Sequence, residues 1–232
     1  MSFDSEIAEP SSVREGRYSI GIKILDTDIL RGVPKGSTIA VLGGVEGGSE
    51  LILHSLAATG RNTEYITTLR SEIGLMDDIK RVRVEDNVDE DTIEEAVTIR
   101  DVFQSTDSSG DIIRRSLSLV DDGGNLIIDS FSKYHDDSQD MMDYARKIHT
   151  KTKMNGGITY LYFASSYEDL NRYEKEILQM VDGVFNVKTE IEGETIENNL
   201  FINKLRGMQL PKDSQNLIFG EKLSIDVTSD IG

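Results

Sequence analysis

The feature that most constrains this chain is an apolar run that stops dead in glycine. Ile39 to Leu42 is followed at once by Gly43, Gly44, Gly47 and Gly48, and an amphipathic stretch beginning Leu51-Ile52-Leu53-His54 follows two residues later. A buried strand, a tight loop and a helix are the elements this order predicts. Glycines of this density let the backbone curl so that successive N–H groups point inward at the start of the next helix, the geometry of an anion nest. The same alternation continues downstream. Thr63 to Thr68, Asn125 to Ser130 and Ile158 to Phe163 read as β-rich runs, and Glu72 to Arg81, Asp91 to Phe103, Ile112 to Val120 and Met141 to Asn155 read as helices between them. Val82 to Val84 is read as a short extra strand. Strand–helix alternation of this kind calls for an α/β protein with a mainly parallel sheet flanked by helices and right-handed crossovers.

After Val181 the rhythm changes. Gly183 to Glu190 and Thr195 to Lys204, joined at Glu192-Gly193, predict one β-hairpin, and Asn216 to Phe219 with Lys222 to Asp226 predict a second around Gly220-Glu221. Residues 1–16 hold few large apolar groups and include Pro10-Ser11-Ser12, which reads as a mobile tail. A single domain over 17–226 and a short tail over 227–232 complete the expected organisation.

Charge excludes some functions. The chain carries 42 acidic and 25 basic residues for a formal charge of −17, which repels nucleic-acid phosphate and argues against direct nucleic-acid binding. The carboxylates are spread over nearly every predicted loop and exposed helix face instead of forming one tail. That pattern suits a haloarchaeal-type protein of a cell holding molar salt, where a Debye length of about 3 Å screens the self-repulsion. There is no cysteine, and His54, His135 and His149 lie too far apart for ligand spacing, so no metal site is expected. Met1 to Arg17 is polar and acidic, unlike a secretory leader, and no run is long enough to span a membrane. A cytoplasmic location without membrane contact is the expectation.

The spacing Gly43-x-x-x-x-Gly48 is that of a Walker A loop, G-x-x-x-x-G-K-[ST], with Ser49 and Glu50 where lysine and a hydroxyl residue belong. Asn125-Leu126-Ile127-Ile128-Asp129 has the form of a Walker B strand ending in its acid. The approach Leu25-Asp26 to Gly36, followed by Val181-Asp182-Gly183-Val184 and Lys204-Leu205-Arg206-Gly207, appears in the order of the KaiC/RecA-like ATPase family's signatures. The chain therefore resembles that family over about residues 20–226 and is similar to a divergent member with a degenerate loop. The resemblance implies a RecA-like fold, ATP with Mg²⁺ as the cofactor, a catalytic glutamate pair after the second strand, and a Lys-x-Arg pair reaching a neighbouring subunit's nucleotide.

This sequence departs from that pattern at the chemistry. Gly43, Gly44, Gly47, Gly48 and Ser49 keep the loop's frame without its cation, Glu46 and Glu50 add carboxylates beside it, and Leu69 and Arg70 stand where the glutamates are expected, with Glu72 nearby. Asp129 is the Walker B-like candidate, and it and Glu50 could hold a divalent ion only by a rarer, direct arrangement. The expectation is a pseudo-ATPase with no catalytic residues and no bound cofactor. Such a chain would regulate or scaffold through protein contacts, in a homo- or hetero-oligomer or against an intact relative, with Lys204 and Arg206 at the interface. The alternatives are an ATPase using Lys23 or Lys35 in place of the loop lysine, and a recombinase-related accessory protein.

Overall fold

A computed structural model describes residues 13–44, 48–82, 88–102, 111, 114, 117, 123–131, 138–192, 195–219 and 223–225. The glycine-terminated apolar run forms strand β3, Thr38–Gly43, buried at every position. A strand buried on both faces is a central strand of a covered parallel sheet, and that is where β3 lies. The sheet order is β11-β10-β9-β8-β3-β7-β6-β4-β5. The strands are β4 (Thr63–Thr67), β5 (Val97–Asp101), β6 (Asn125–Ile128), β7 (Thr159–Phe163), β8 (Gly183–Glu192), β9 (Thr195–Leu205), β10 (Gln215–Phe219) and β11 (Leu223–Ile225). Every pairing from β8 through β3, β7, β6 and β4 to β5 is parallel. The β8–β9, β9–β10 and β10–β11 pairings are antiparallel, so the C-terminal segment extends the sheet as hairpins. A separate two-residue ribbon pairs β1 (Arg17–Tyr18) with β2 (Val33–Pro34).

Strand alternation sorts the core into two layers. Ile39 and Val41 face one cluster with Ile52, Leu53 and Leu56 of helix α1 (Glu50–Ala57) and Leu75 and Ile79 of α2 (Glu72–Arg81). Ala40 and Leu42 face the other with Met141, Ala145 and Ile148 of α4 (Ser138–Asn155) and Ile177 and Leu178 of α5 (Arg172–Met180). Asn171 closes a reciprocal capping box with Glu174 at the start of α5, satisfying two otherwise orphaned amides. Among the described residues no helix is long and apolar enough to cross a membrane.

Two of the expected elements are corrected. The stretch expected as one helix from Asp91 to Phe103 is a short helix α3, Glu90–Ala96, followed directly by edge strand β5, while Phe103 lies outside the described residues. Asp89 starts the helix by accepting from Thr92 N at 2.8 Å, but Val97-Thr98-Ile99 is β-branched and finds the free backbone edge of β4. Val82 is the C-terminal cap of α2 and not a strand residue, and Arg83 and Val84 lie outside the described residues. Of the helix expected at 112–120, only Arg114 and Leu117 are described, and both are helical. Residues 1–12 and 226–232 also lie outside the description. Within the expected N-terminal tail, Arg14 N donates to Arg31 O at 3.3 Å and Gly16 O accepts from Lys35 N at 3.1 Å.

Candidate functional site

Open parallel sheets place ligands at the carboxyl ends of their strands. Here that edge gathers Gly43 from β3, Thr67 from β4, Asp129 after β6 and Tyr162 of β7. The loop that leaves β3 is described at Gly44 and again from Gly48, whose φ of 60° is left-handed. Val45, Glu46 and Gly47 lie outside the described residues.

Ser49, in the position of the loop lysine, is 1% exposed. Its Oγ lies 2.9 Å from the Tyr162 hydroxyl, which donates to Gly43 O at 3.3 Å. A Cβ on Gly43 would lie 2.5 Å from Ser49 Cβ, so glycine is what lets Ser49 settle against the strand end. Burial, the largest cause, pushes the Tyr162 phenol up, and the bond from Ser49 partly offsets it. The Ser49–Tyr162–Gly43 chain therefore fills the end of β3 with neutral groups.

Glu50 opens α1 and ion-pairs with Arg70, which also pairs with Asp78 of α2. A carboxylate in the first turn complements the positive end of the helix, so the anion there is the protein's own. Arg70, which follows β4, supplies the cation that joins α1 to α2. Glu72, the neighbouring carboxylate, is exposed as the first residue of α2. Asp129 is 2% exposed and accepts from Thr67 Oγ1 at 3.3 Å. Ser130 after it has a φ of 59°, which turns the chain sharply at the strand end.

One turn below Glu50, His54 is 2% exposed and its Nδ1 has no hydrogen-bond partner among the described residues. Burial, then the positive charge of Arg70, lowers its pKa to about 4, against an opposing pull from Asp78. In the sequence His54 is weighed only as a metal ligand, and Tyr162 is not singled out. Tyr162 carried one signal, as a polar tip in the apolar run Thr159–Phe163, and His54 carried only its helical spacing from Glu50.

Lys204 and Arg206 lie at the other end of the sheet, where β3 and β8 begin and β9 ends. Lys204 Nζ donates to Leu178 O at 3.0 Å and Gln179 O at 2.8 Å, and an Arg206 guanidinium N–H donates to Gln179 O at 3.1 Å. Both cations thus meet the carbonyl end of α5, where the helix dipole favours positive charge. Buried Asp182 lies beside them, 3.9 Å from Arg206 and 3.0 Å from Lys153, and accepts from Thr38 N at 3.0 Å. A register shift between Val184 and Phe185 pairs Val184 with Lys204 but Phe185 with Ile202. This bulge, invisible in the sequence, sets the direction of Lys204.

Asp26 is a further residue that sequence reading did not single out. Fully buried, it accepts from Ile20 N, Gly21 N and Ser19 Oγ at 2.8–3.1 Å and organises the approach to β2.

A glycine loop at the end of a central parallel strand, an acid at the end of β6 and C-terminal antiparallel strands define a KaiC/RecA-like α/β fold. A KaiC-like protein from the hyperthermophilic archaeon Pyrococcus horikoshii OT3 superposes on it with a TM-score of 0.72 over 92% of this chain and 99% of that one, at 19% sequence identity. The profile of the family of unknown function DUF7125 matches residues 17–232, and the chain belongs to that family. No curated protein matches it.

Proposed function

We propose that this chain keeps the KaiC/RecA-like architecture without nucleotide turnover and acts by binding other proteins, as a regulator or scaffold. The observation that carries the reading is the neutral, buried residue at the position after Gly48, where a phosphate-binding loop would carry its lysine. Ser49 is buried against Tyr162 and Gly43, and Arg70, the cation paired with the first residue of α1, is held by Glu50 and Asp78. The residues do not fit ATP with Mg²⁺, because the triad Glu50–Arg70–Asp78 sums to one negative charge and a polyphosphate would have to break its ion pairs. At an effective dielectric of 20, a like-charge contact near 4 Å opposes binding by about 4 kcal/mol, on the order of a thousandfold in affinity. Lys35, an alternative loop cation, precedes β3 at the opposite edge, with Nζ 4.3 Å from the Tyr18 ring centroid.

In this reading the partner is a protein, with an intact KaiC/RecA-like ATPase as the leading class, and Lys204 and Arg206 face it. Arg206 keeps 52% of its side chain exposed. The test measures phosphate release and Mg-ATP binding for the unmodified chain and for the double variant Ser49→Lys, Glu50→Thr, alongside affinity capture from a high-salt extract. The unmodified chain should neither bind nor turn over ATP, and the double variant should gain binding with little turnover. Turnover by the unmodified chain would overturn the reading.

A further inference from the structure

The face of the β8–β9 hairpin beyond α5 carries a second concavity, separate from the strand-end site. Alternation puts Val184, Asn186 and Lys188 of β8 on one face, and the bulge at Val184/Phe185 brings both Phe201 and Lys204 of β9 to the same face through the pairs Asn186↔Phe201 and Val184↔Lys204. Helix α5 forms the other wall with Lys175 and Leu178, and Tyr167 stands at the rim. The open cleft has a volume of about 680 Å³, within the range of small-molecule sites.

Its lining departs from the rest of the molecule in charge. In a chain of formal charge −17, this cleft presents three lysines, Lys175, Lys188 and Lys204, against one carboxylate, Glu168. Two lysines lie over aromatic rings, Lys188 at 5.9 Å from Phe201 and Lys175 at 5.7 Å from Tyr167. Lys204 has a lowered pKa, first from burial and then from Arg206, as expected of a cation held beside apolar surface. The floor is apolar, formed by Leu178, Val184 and Phe201, while the Asn186 side chain, 5% exposed, adds a polar amide at the bottom. Glu168 pairs with Lys188 only loosely, at 3.7 Å and with 66% of its own side chain exposed, so an incoming anion can displace it at little cost.

We infer that this cleft is a binding site for a small aromatic anion, its ring against Phe201 and Val184 and its acid group at Lys188, with Lys175 and Lys204 adding positive charge to the lining. Apolar contact supplies area and the Lys188 ammonium supplies a charge-assisted bond in a half-buried setting. The site is independent of the proposed loss of nucleotide turnover, since it lies on the α5 face of β8 and β9 and shares no residue with the strand-end site; of the proposed partner face it takes in Lys204 alone.

Anilinonaphthalenesulfonate, an aromatic sulfonate, is a direct probe. Titrated into the full folded chain in molar KCl, it should bind saturably at one equivalent, with amide shifts at Asn186, Lys188 and Phe201 and none at Gly43, Ser49 or Arg70. Neutral anilinonaphthalene, which lacks the sulfonate, should bind about tenfold or more weaker, the loss of roughly one charge-assisted contact. Asn203→Trp, at an exposed strand position that tolerates a β-favouring ring, should fill the cleft and abolish binding. Lys188→Gln should weaken binding about tenfold and Glu168→Gln should tighten it, with circular dichroism melts confirming that each variant folds. Equal affinity for the neutral and charged probes, retention of binding in Asn203→Trp, shifts confined to the strand-end site, or self-association through this face in sedimentation would each overturn the inference.

Discussion

Replacing His54 by leucine should flatten the acid sensitivity of the fold, and the size of the effect follows from its burial. The imidazole is enclosed between α1 and β4, 6.3 Å from the Tyr65 ring centroid, with a pKa of about 4 in the native state. Unfolded, it titrates near 6.5. The native pKa is the lower of the two, so the unfolded chain binds more protons between these values and stability falls as pH drops through them. Linkage gives a loss of about 2 kcal/mol between pH 7.5 and pH 5, rising to about 3 kcal/mol near pH 4. His149 shifts downward for the same first cause, burial, and adds to the wild-type slope with the same sign. The carboxylates also titrate in this window, so the difference between wild type and variant is the informative quantity. Urea unfolding in molar KCl at pH 7.5 and 5.0 measures it. His54→Leu should cost little at pH 7.5, because Nδ1 has no partner to lose among the described residues, and should be the more stable protein at pH 5. An identical pH difference in the two proteins would refute the argument, showing that His54 protonates without resistance.

Three further outcomes are expected. Gly157→Ala should destabilise the protein by about 3 kcal/mol or prevent folding, since its Cβ would lie 1.8 Å from Gly124 O, a backbone atom that cannot swing aside; equilibrium urea unfolding reads this. Lys204→Met should cost about 0.5–1 kcal/mol by uncapping the carbonyls of Leu178 and Gln179, and an unchanged urea midpoint would count against the cap. Melting temperature should rise from dilute to molar KCl because screening relieves repulsion among 42 acidic residues; a fall or no change by circular dichroism would remove the charge argument.

The central fold was legible because β3, β6 and β7 are apolar runs, β3 closed by Gly43 and β6 by Asp129, a pattern that survives without any partner. β5 was not legible. Ile93 and Val97 repeat at helical spacing behind the cap at Asp89, and only the open edge of β4 tells the chain to extend. At the strand-end site, the sequence puts Ser49 directly after the glycine loop. Its surroundings were not legible, since Ser49 meets Tyr162, 113 residues away in sequence, and Arg70 finds Glu50 and Asp78 only once α1 and α2 stand side by side. The placement of Lys204 was hidden for a different reason. A bulge depends on the register of two strands, and a single strand's alternation predicts the face of Lys204 relative to Phe201 wrongly by one residue.

The measurement that bears most directly on the proposed loss of nucleotide chemistry is a titration of the unmodified protein with Mg-ATP, followed through the backbone amides of Gly43, Gly44, Gly48, Ser49 and Arg70. Reading these amides separates the strand-end site from the cleft on α5, β8 and β9. With Ser49 buried against Tyr162 and Arg70 held by two carboxylates, these signals should stay in place to millimolar nucleotide. In the Ser49→Lys, Glu50→Thr variant they should move and saturate. Saturable shifts of the same amides in the unmodified chain at micromolar Mg-ATP would contradict the account.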